Sequence, residues 1–155
     1  MTALKNKLSF TDAEEEFNSR IFAQEPYLIA IVVCDVNGMK YVNDTQGHKA
    51  GDEYFRSAVR MVYLLFIHNP VFRTGGDEFA VILAGRDDED REAIMKSLRE
   101  RSVENIGAGK AVVTGGLAEY DPRQTPKCRA VHEQADTQMY EEKKPLKSPS
   151  AVTQI

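Results

Sequence analysis

The chain switches between two hydrophobic periodicities, and the switches mark its elements. Residues 10–24 (FTDAEEEFNSRIFAQ) crowd acids into a first turn, offer Thr11 or Asp12 as a cap, and repeat Phe17 and Ile21 four apart, which predicts a helix. Residues 27–36 (YLIAIVVCDV) are apolar on both faces, the pattern of a central strand. Residues 37–48 (NGMKYVNDTQGH) are turn-rich, with room for one helical turn. Residues 50–67 space Phe55, Val59, Val62 and Phe66 three or four apart, a helix that Pro70 ends. Residues 71–74 and 79–84 read as short strands around Gly75-Gly76-Asp77-Glu78, a hairpin with glycines available for positive φ. A charged helix follows over 86–101, with Ile94 and Leu98 inward. Residues 110–120 (KAVVTGGLAEY) predict a strand weakened or bulged at Gly115-Gly116. Residues 128–147 predict a last helix aligning Val131, Ala135 and Met139. The interleaving predicts one domain over 1–147, a mixed sheet with helices packed on it, and a frayed tail over 148–155.

Composition narrows the class. The 155 residues are 42% apolar and 28% charged, enough for one globular core. A formal charge of −4 argues against holding nucleic acid by bulk charge, though it permits a phosphate ligand held by a few local lysines. Cys34 and Cys128 form neither a disulfide framework nor a metal pattern, which favours a reducing, cytoplasmic setting. No apolar run approaches the ~20 residues of a membrane span, so no membrane contact by this domain is expected.

The candidate chemistry lies in the acids. Asp35 stands at the C-terminal end of the central strand, where ligands of α/β sheets usually sit. If the hairpin lies beside that strand, Asp35 and Asp77 converge, and converging carboxylates repel unless a cation sits between them. Magnesium suits one or two carboxylates plus substrate phosphates. Gly75 and Gly76 would let a phosphate approach the backbone closely. Each feature alone has a plainer account: the tetrad as a surface turn with solvated acids, Asp35 as a cap, Asn43-Asp44-Thr45 as a turn, Asp52 as a helix-start acid, and a terminal lysine pair as a solvated face.

The combination resembles one family. RTGGDEF (73–79) resembles the signature of the GGDEF family, the diguanylate cyclases. CDVNGMKYVNDTQGHKAGDE (34–53) resembles the family's D-x-D-x-F/L-K-x-x-N-D-x-x-G-H-x-x-G-D block, and ADTQMYEEKKPLK (135–147) its A-D-x-x-L/M-Y-x-x-K ending. Thr2-Ala3-Leu4-Lys5-Asn6 resembles a truncated L-T-G-L-x-N entry motif. The resemblance implies an α+β nucleotide-cyclase palm, related to ferredoxin-like folds: a mostly antiparallel sheet flanked by helices, with the GGDEF β-hairpin. It also implies synthesis of cyclic di-GMP from two GTP molecules with release of two pyrophosphates.

Residue by residue, the resemblance places two magnesium (or manganese) ions per GTP on Asp35, Asp77 and the backbone carbonyl of Val36. Asp77, or Glu78 beside it, would help remove the 3′-hydroxyl proton. Asn43 and Asp52 match guanine readers, since a carboxylate accepts from both N1–H and N2–H₂, donors that adenine does not pair in that way. Lys40 and Lys143 match phosphate contacts. Lys147, four residues on, would share the face of Lys143, where many relatives carry arginine. Asn37 replaces a frequent aspartate and adds little to a metal site. Phe66-Ile67-His68-Asn69 stand where many relatives carry an R-x-x-D product-inhibition site, so no inhibition through that site is expected. The partners implied are GTP, a second GGDEF domain in a transient antiparallel homodimer, and an N-terminal sensory or receiver domain in a longer protein. The alternative is a catalytically silent GTP-binding module that regulates a neighbour.

Overall fold

The computed structural model describes residues 4–23, 29–83, 89–121, 123 and 127–144. Its elements in chain order are α1 (Lys7–Phe22), β1 (Ala30–Asn37), α2 (Met39–Gln46), α3 (His48–Leu65), β2 (Val71–Arg73), β3 (Glu78–Leu83), α4 (Arg91–Ala108), β4 (Val112–Glu119) and α5 (Cys128–Lys143). The four strands form one antiparallel sheet in the order β2-β3-β1-β4. A single parallel bridge, Lys5 to Phe72, adds to the β2 edge.

β1 is central because it has two apolar faces. Ile31 and Val33 pack with Phe17, Val131, Ala135 and Met139, under α1 and α5. Val32, Cys34 and Val36 pack with Val62, Phe66, Phe79 and Leu98, under α3 and α4. Asp35 is the one residue of β1 that is not fully buried. It continues the Ile31–Val33 row by the two-residue period of a strand, so it stands at the end of the sheet on the α5 side.

Several boundaries differ from the sequence pattern, each for a local reason. α1 starts at Lys7 because Asn6 caps it, its Oδ1 accepting from Ser9 N at 2.9 Å. Thr11 does not cap; its hydroxyl donates back to Lys7 O within the helix. The turn-rich stretch after β1 forms two turns of helix rather than one, since Gly38 (φ 77°, left-handed) and Gly47 (φ 86°, ψ 165°) supply positive φ at its ends and Val42 anchors it in the core. α4 runs on to Ala108, where Gly109 (φ 64°) closes it. Its polar-looking continuation is docked through Ser102, which donates to Val113 O at 2.7 Å and accepts from Val113 N at 3.1 Å.

β4 carries no bulge at its glycines: pairing with β1 runs unbroken from Asn37↔Val112 to Ala30↔Glu119. The glycines answer close approach instead. A Cβ at Gly116 would lie 2.1 Å from both Ala135 O and Met139 N, so α5 rests directly on β4. Nor do Gly75 and Gly76 use positive φ, which among the described residues falls at Gly38, Gly47 and Gly109. Lys147, the 148–155 tail, Thr2 and Ala3 lie outside the described residues. Among the described residues, no helix is long and apolar enough to cross a membrane.

Candidate active site

The antiparallel register brings the hairpin tip to the end of β1. Asp35 stands opposite Glu78 across the β1–β3 ladder. Val36 N donates to Asp77 O at 2.9 Å, which ties the tip to β1 just beyond the last cross-strand pair. Thr74 N donates to Glu78 O at 3.1 Å and closes the turn. The result is a cleft of about 470 Å³ whose lining includes Asp35, Val36, Lys40, Asp44, Asp77 and Lys143. A larger groove of about 650 Å³ lies between α4, α5 and β4. Glu92, Glu119 and Glu142 line it, and two of them are tied to arginines in the pairs Arg91–Glu119 and Arg99–Glu142.

Lys143, in the last turn of α5, donates to Asp35 Oδ1 at 2.7 Å. Burial raises Asp77 above the ordinary carboxylate range, and the Asp35 charge adds to this, while Arg73 and Lys143 oppose it. Glu78 is raised in the same way, first by burial and then by the Asp136 and Asp35 carboxylates. Both acids therefore hold their protons more tightly than solvated carboxylates would.

The other predicted residues fall nearby, in two groups. Lys40 lies in the first turn of α2 and reaches the cleft. Asn43 and Asp52 do not line it; they sit at the corner between α2 and α3. A Cβ at Gly51 would lie 1.8 Å from Asn43 Oδ1, so the Asn43 side chain lies across Gly51, and Asp52 follows on the exposed side of α3. At the tip, a Cβ at Gly75 would approach Glu78 Oε2 to 3.1 Å, whereas Gly76 faces open space.

Three features escaped the sequence reading. Arg73 grips the tip from behind: Nε donates to Gly75 O and Gly76 O at 3.2 Å, and Nη2 donates to Gly76 O at 2.7 Å. Its guanidinium lies 4.4 Å from the centre of the Phe55 ring. An arginine directly before Thr-Gly-Gly was the available signal. Asp136 on α5 adds its charge to the field that raises Glu78, an influence that only the packing of α5 reveals. Asn37, read as adding little to a metal site, is buried against Thr114. Its Nδ2 donates to Thr114 Oγ1 at 2.9 Å, and that hydroxyl donates to Asn37 Oδ1 at 3.0 Å. The pair fastens β1 to β4 beside the site.

Among the described residues, no group of three or more His, Cys, Asp or Glu side chains is arranged to hold a metal ion. Asp35 and Asp77 are a donor set of two carboxylates in an open cleft. That fits a hard cation such as magnesium, which takes the rest of its shell from water and a ligand's phosphates.

An antiparallel sheet with helical cover, its acids gathered where the hairpin tip meets the central strand, defines an α+β palm domain of the nucleotide-cyclase type. The chain belongs to the GGDEF family: the model described as "Diguanylate cyclase, GGDEF domain" matches residues 1–148. Diguanylate cyclase DgcP of Escherichia coli (strain K12) is 32% identical over 122 residues, 75% of this chain and 36% of that protein. A Streptomyces griseus protein described as "Uncharacterized protein in hutH 5'region" is 35% identical over 98 residues, 61% of this chain and 40% of that protein. The chain thus spans two fifths or less of the length of these relatives. Among solved structures, the GGDEF domain of DgcB from Caulobacter crescentus in complex with c-di-GMP superposes with a TM-score of 0.75 at 26% identity, covering 95% of this chain and 90% of that one. The active GGEEF domain of a Vibrio cholerae diguanylate cyclase gives the same score at 19% identity over 92% and 93%, a likeness of fold.

Proposed function

We propose that this chain is a diguanylate cyclase domain, residues 1–147, that condenses two GTP molecules into cyclic di-GMP with release of two pyrophosphates. The observation that carries the reading is the convergence of Asp35 and Asp77 in one cleft, with Lys143 facing them. In each half-reaction the 3′-oxygen of one GTP attacks the α-phosphorus of the other. A new phosphodiester bond forms, the bond to the β-phosphate breaks, and pyrophosphate leaves.

Asp35, Asp77 and the Val36 carbonyl would hold magnesium, which when bound supplies charge neutralisation at the α-phosphate. Lys40, Lys143 and Lys147 would hold phosphate oxygens, and the open backbone at Gly75-Gly76 would let the chain of phosphates lie close. Asn43 and Asp52 at the α2–α3 corner would read the guanine edge. The raised proton affinity of Asp77 and Glu78 suits either carboxylate to accept the 3′-hydroxyl proton. One cleft holds one GTP, so two domains must meet face to face in a transient homodimer, and positioning supplies most of the rate. A cytoplasmic location and an N-terminal sensory or receiver domain belong to the same proposal.

The test is incubation with GTP and magnesium at several protein concentrations, with cyclic di-GMP followed by chromatography. The expected rate rises more steeply than linearly with protein and disappears in Asp77→Ala. GTP binding without any product would favour a silent regulatory module instead.

A further inference from the structure

Lys143 meets Asp35 where a cation would be needed. Its ammonium is 2.7 Å from Asp35 Oδ1; the lysine side chain is 42% exposed and the aspartate 13%. Asp77 and Glu78 also lie within the electrostatic reach of Lys143. Asp136 adds its negative field at Glu78, so the end of the sheet carries more acid charge than the Lys143 ammonium alone balances. The guanidinium of Arg73 is engaged with the carbonyls of Gly75 and Gly76 and the ring of Phe55. Among the described residues, the ammonium bonded to a cleft acid is that of Lys143.

A divalent ion on Asp35 Oδ1 and an ammonium at hydrogen-bond distance from the same oxygen repel each other strongly in a half-buried site. Lysine can leave: its stem is flexible and its charge is a point, so it can turn to a phosphate without rebuilding its surroundings. It also sits in the last turn of α5, where the helix dipole favours a cation with or without Asp35.

We propose that Lys143 is the resident counter-ion of the ligand-free site, displaced jointly: the triphosphate draws off the ammonium, and the metal takes the carboxylate it leaves. The triphosphate half rests on the cyclase reading above; the metal half does not. It follows that metal alone binds weakly, that metal and triphosphate each tighten the other, and that the coupling is reciprocal. Lys143 is then more than a phosphate contact, because it keeps Asp35 in place and the site closed to stray divalent ions until nucleotide arrives.

The test is manganese binding without nucleotide, read from the paramagnetic resonance of free manganese, on wild type, Lys143→Met and Asp35→Asn. Circular dichroism and thermal melts confirm that each is folded. Lys143→Met should bind manganese about tenfold more tightly than wild type, and Asp35→Asn should bind it more weakly than wild type. Adding a non-reacting α,β-methylene guanosine triphosphate should tighten manganese in wild type by a larger factor than in Lys143→Met. Manganese affinity in Lys143→Met equal to or below that of wild type would overturn the proposal, as would undiminished binding in Asp35→Asn. Failure of wild type to bind the guanosine triphosphate analogue at all would instead overturn the cyclase reading and the triphosphate half, and the manganese comparison would still decide whether Lys143 guards Asp35.

Discussion

Gly116 and Gly51 both exclude a side chain, with different consequences. At Gly116 the obstacle is the backbone of α5, at 2.1 Å, and it cannot step aside. Gly116→Ala should destabilise the fold by about 3 kcal/mol in urea unfolding, because helix and sheet must separate. At Gly51 the obstacle is the Asn43 side chain, which can swing away. Gly51→Ala should leave the melting temperature nearly unchanged and raise the KM for GTP, since it displaces a proposed guanine reader. The acids at the tip act on stability as well. A raised carboxylate pKa means that the folded protein keeps protons the unfolded chain has released. The penalty is therefore absent below the ordinary carboxylate range, grows as pH rises through it, and is complete above the raised folded values. Without divalent ions, Asp77→Asn should melt higher than wild type at about pH 8, and the gap should shrink towards about pH 4. Burial pushes the thiols of Cys34 and Cys128 up to about 12. Both should resist a disulfide reagent at neutral pH until the protein unfolds.

At the scale of elements, α5 depends on α1. Lys127 provides no side-chain cap, and Cys128 N instead donates to Asn18 Oδ1 at 2.8 Å, across 110 positions of sequence. Asn18→Ala should cost about 1 kcal/mol and loosen the helix that carries Lys143. The sequence pattern found every described strand and four of the five described helices within a few residues at most ends, because those elements bury continuous apolar rows. It under-read α2, whose single buried residue, Val42, is hidden among turn-forming residues. It stopped α4 early because the continuation is held by Ser102, a hydroxyl bonded to β4, rather than by an apolar repeat. It placed a bulge in β4 because a glycine pair signals irregular pairing and tight overlying packing alike. The turn after α3 buries Phe66 and offers neither arginine nor aspartate. Cyclic di-GMP added at concentrations well below the substrate should therefore leave the initial rate unchanged.

Across the whole molecule, the site draws on β1, the β2–β3 hairpin, α2, α3 and α5. Asp35, Val36, Asp77, Lys40 and Lys143 were legible because spaced motifs carry them, and they meet in one cleft. The partition of Asn43 and Asp52 to a separate corner was not legible, because it depends on the positive-φ joint at Gly47. The Lys143–Asp35 pair was also hidden. Its partners are 108 residues apart, and only the antiparallel sheet and the seating of α5 on Gly116 bring them together.

The middle position of β1 has a consequence for synthesis. Its apolar run leaves the ribosome before either neighbouring strand exists: Ala30–Leu83 pairing waits for the hairpin, and Ala30–Glu119 pairing waits longer. During that interval the stretch Ile31–Cys34, which ends up fully buried, is an unpaired strand open to other nascent chains. Chains arrested just after Leu83 should bind a hydrophobic holding chaperone, and full-length chains should not. In such a protein the residue that ends up facing the cleft, Asp35, is also a charged interruption at the end of an otherwise sticky run while that run is still unpaired.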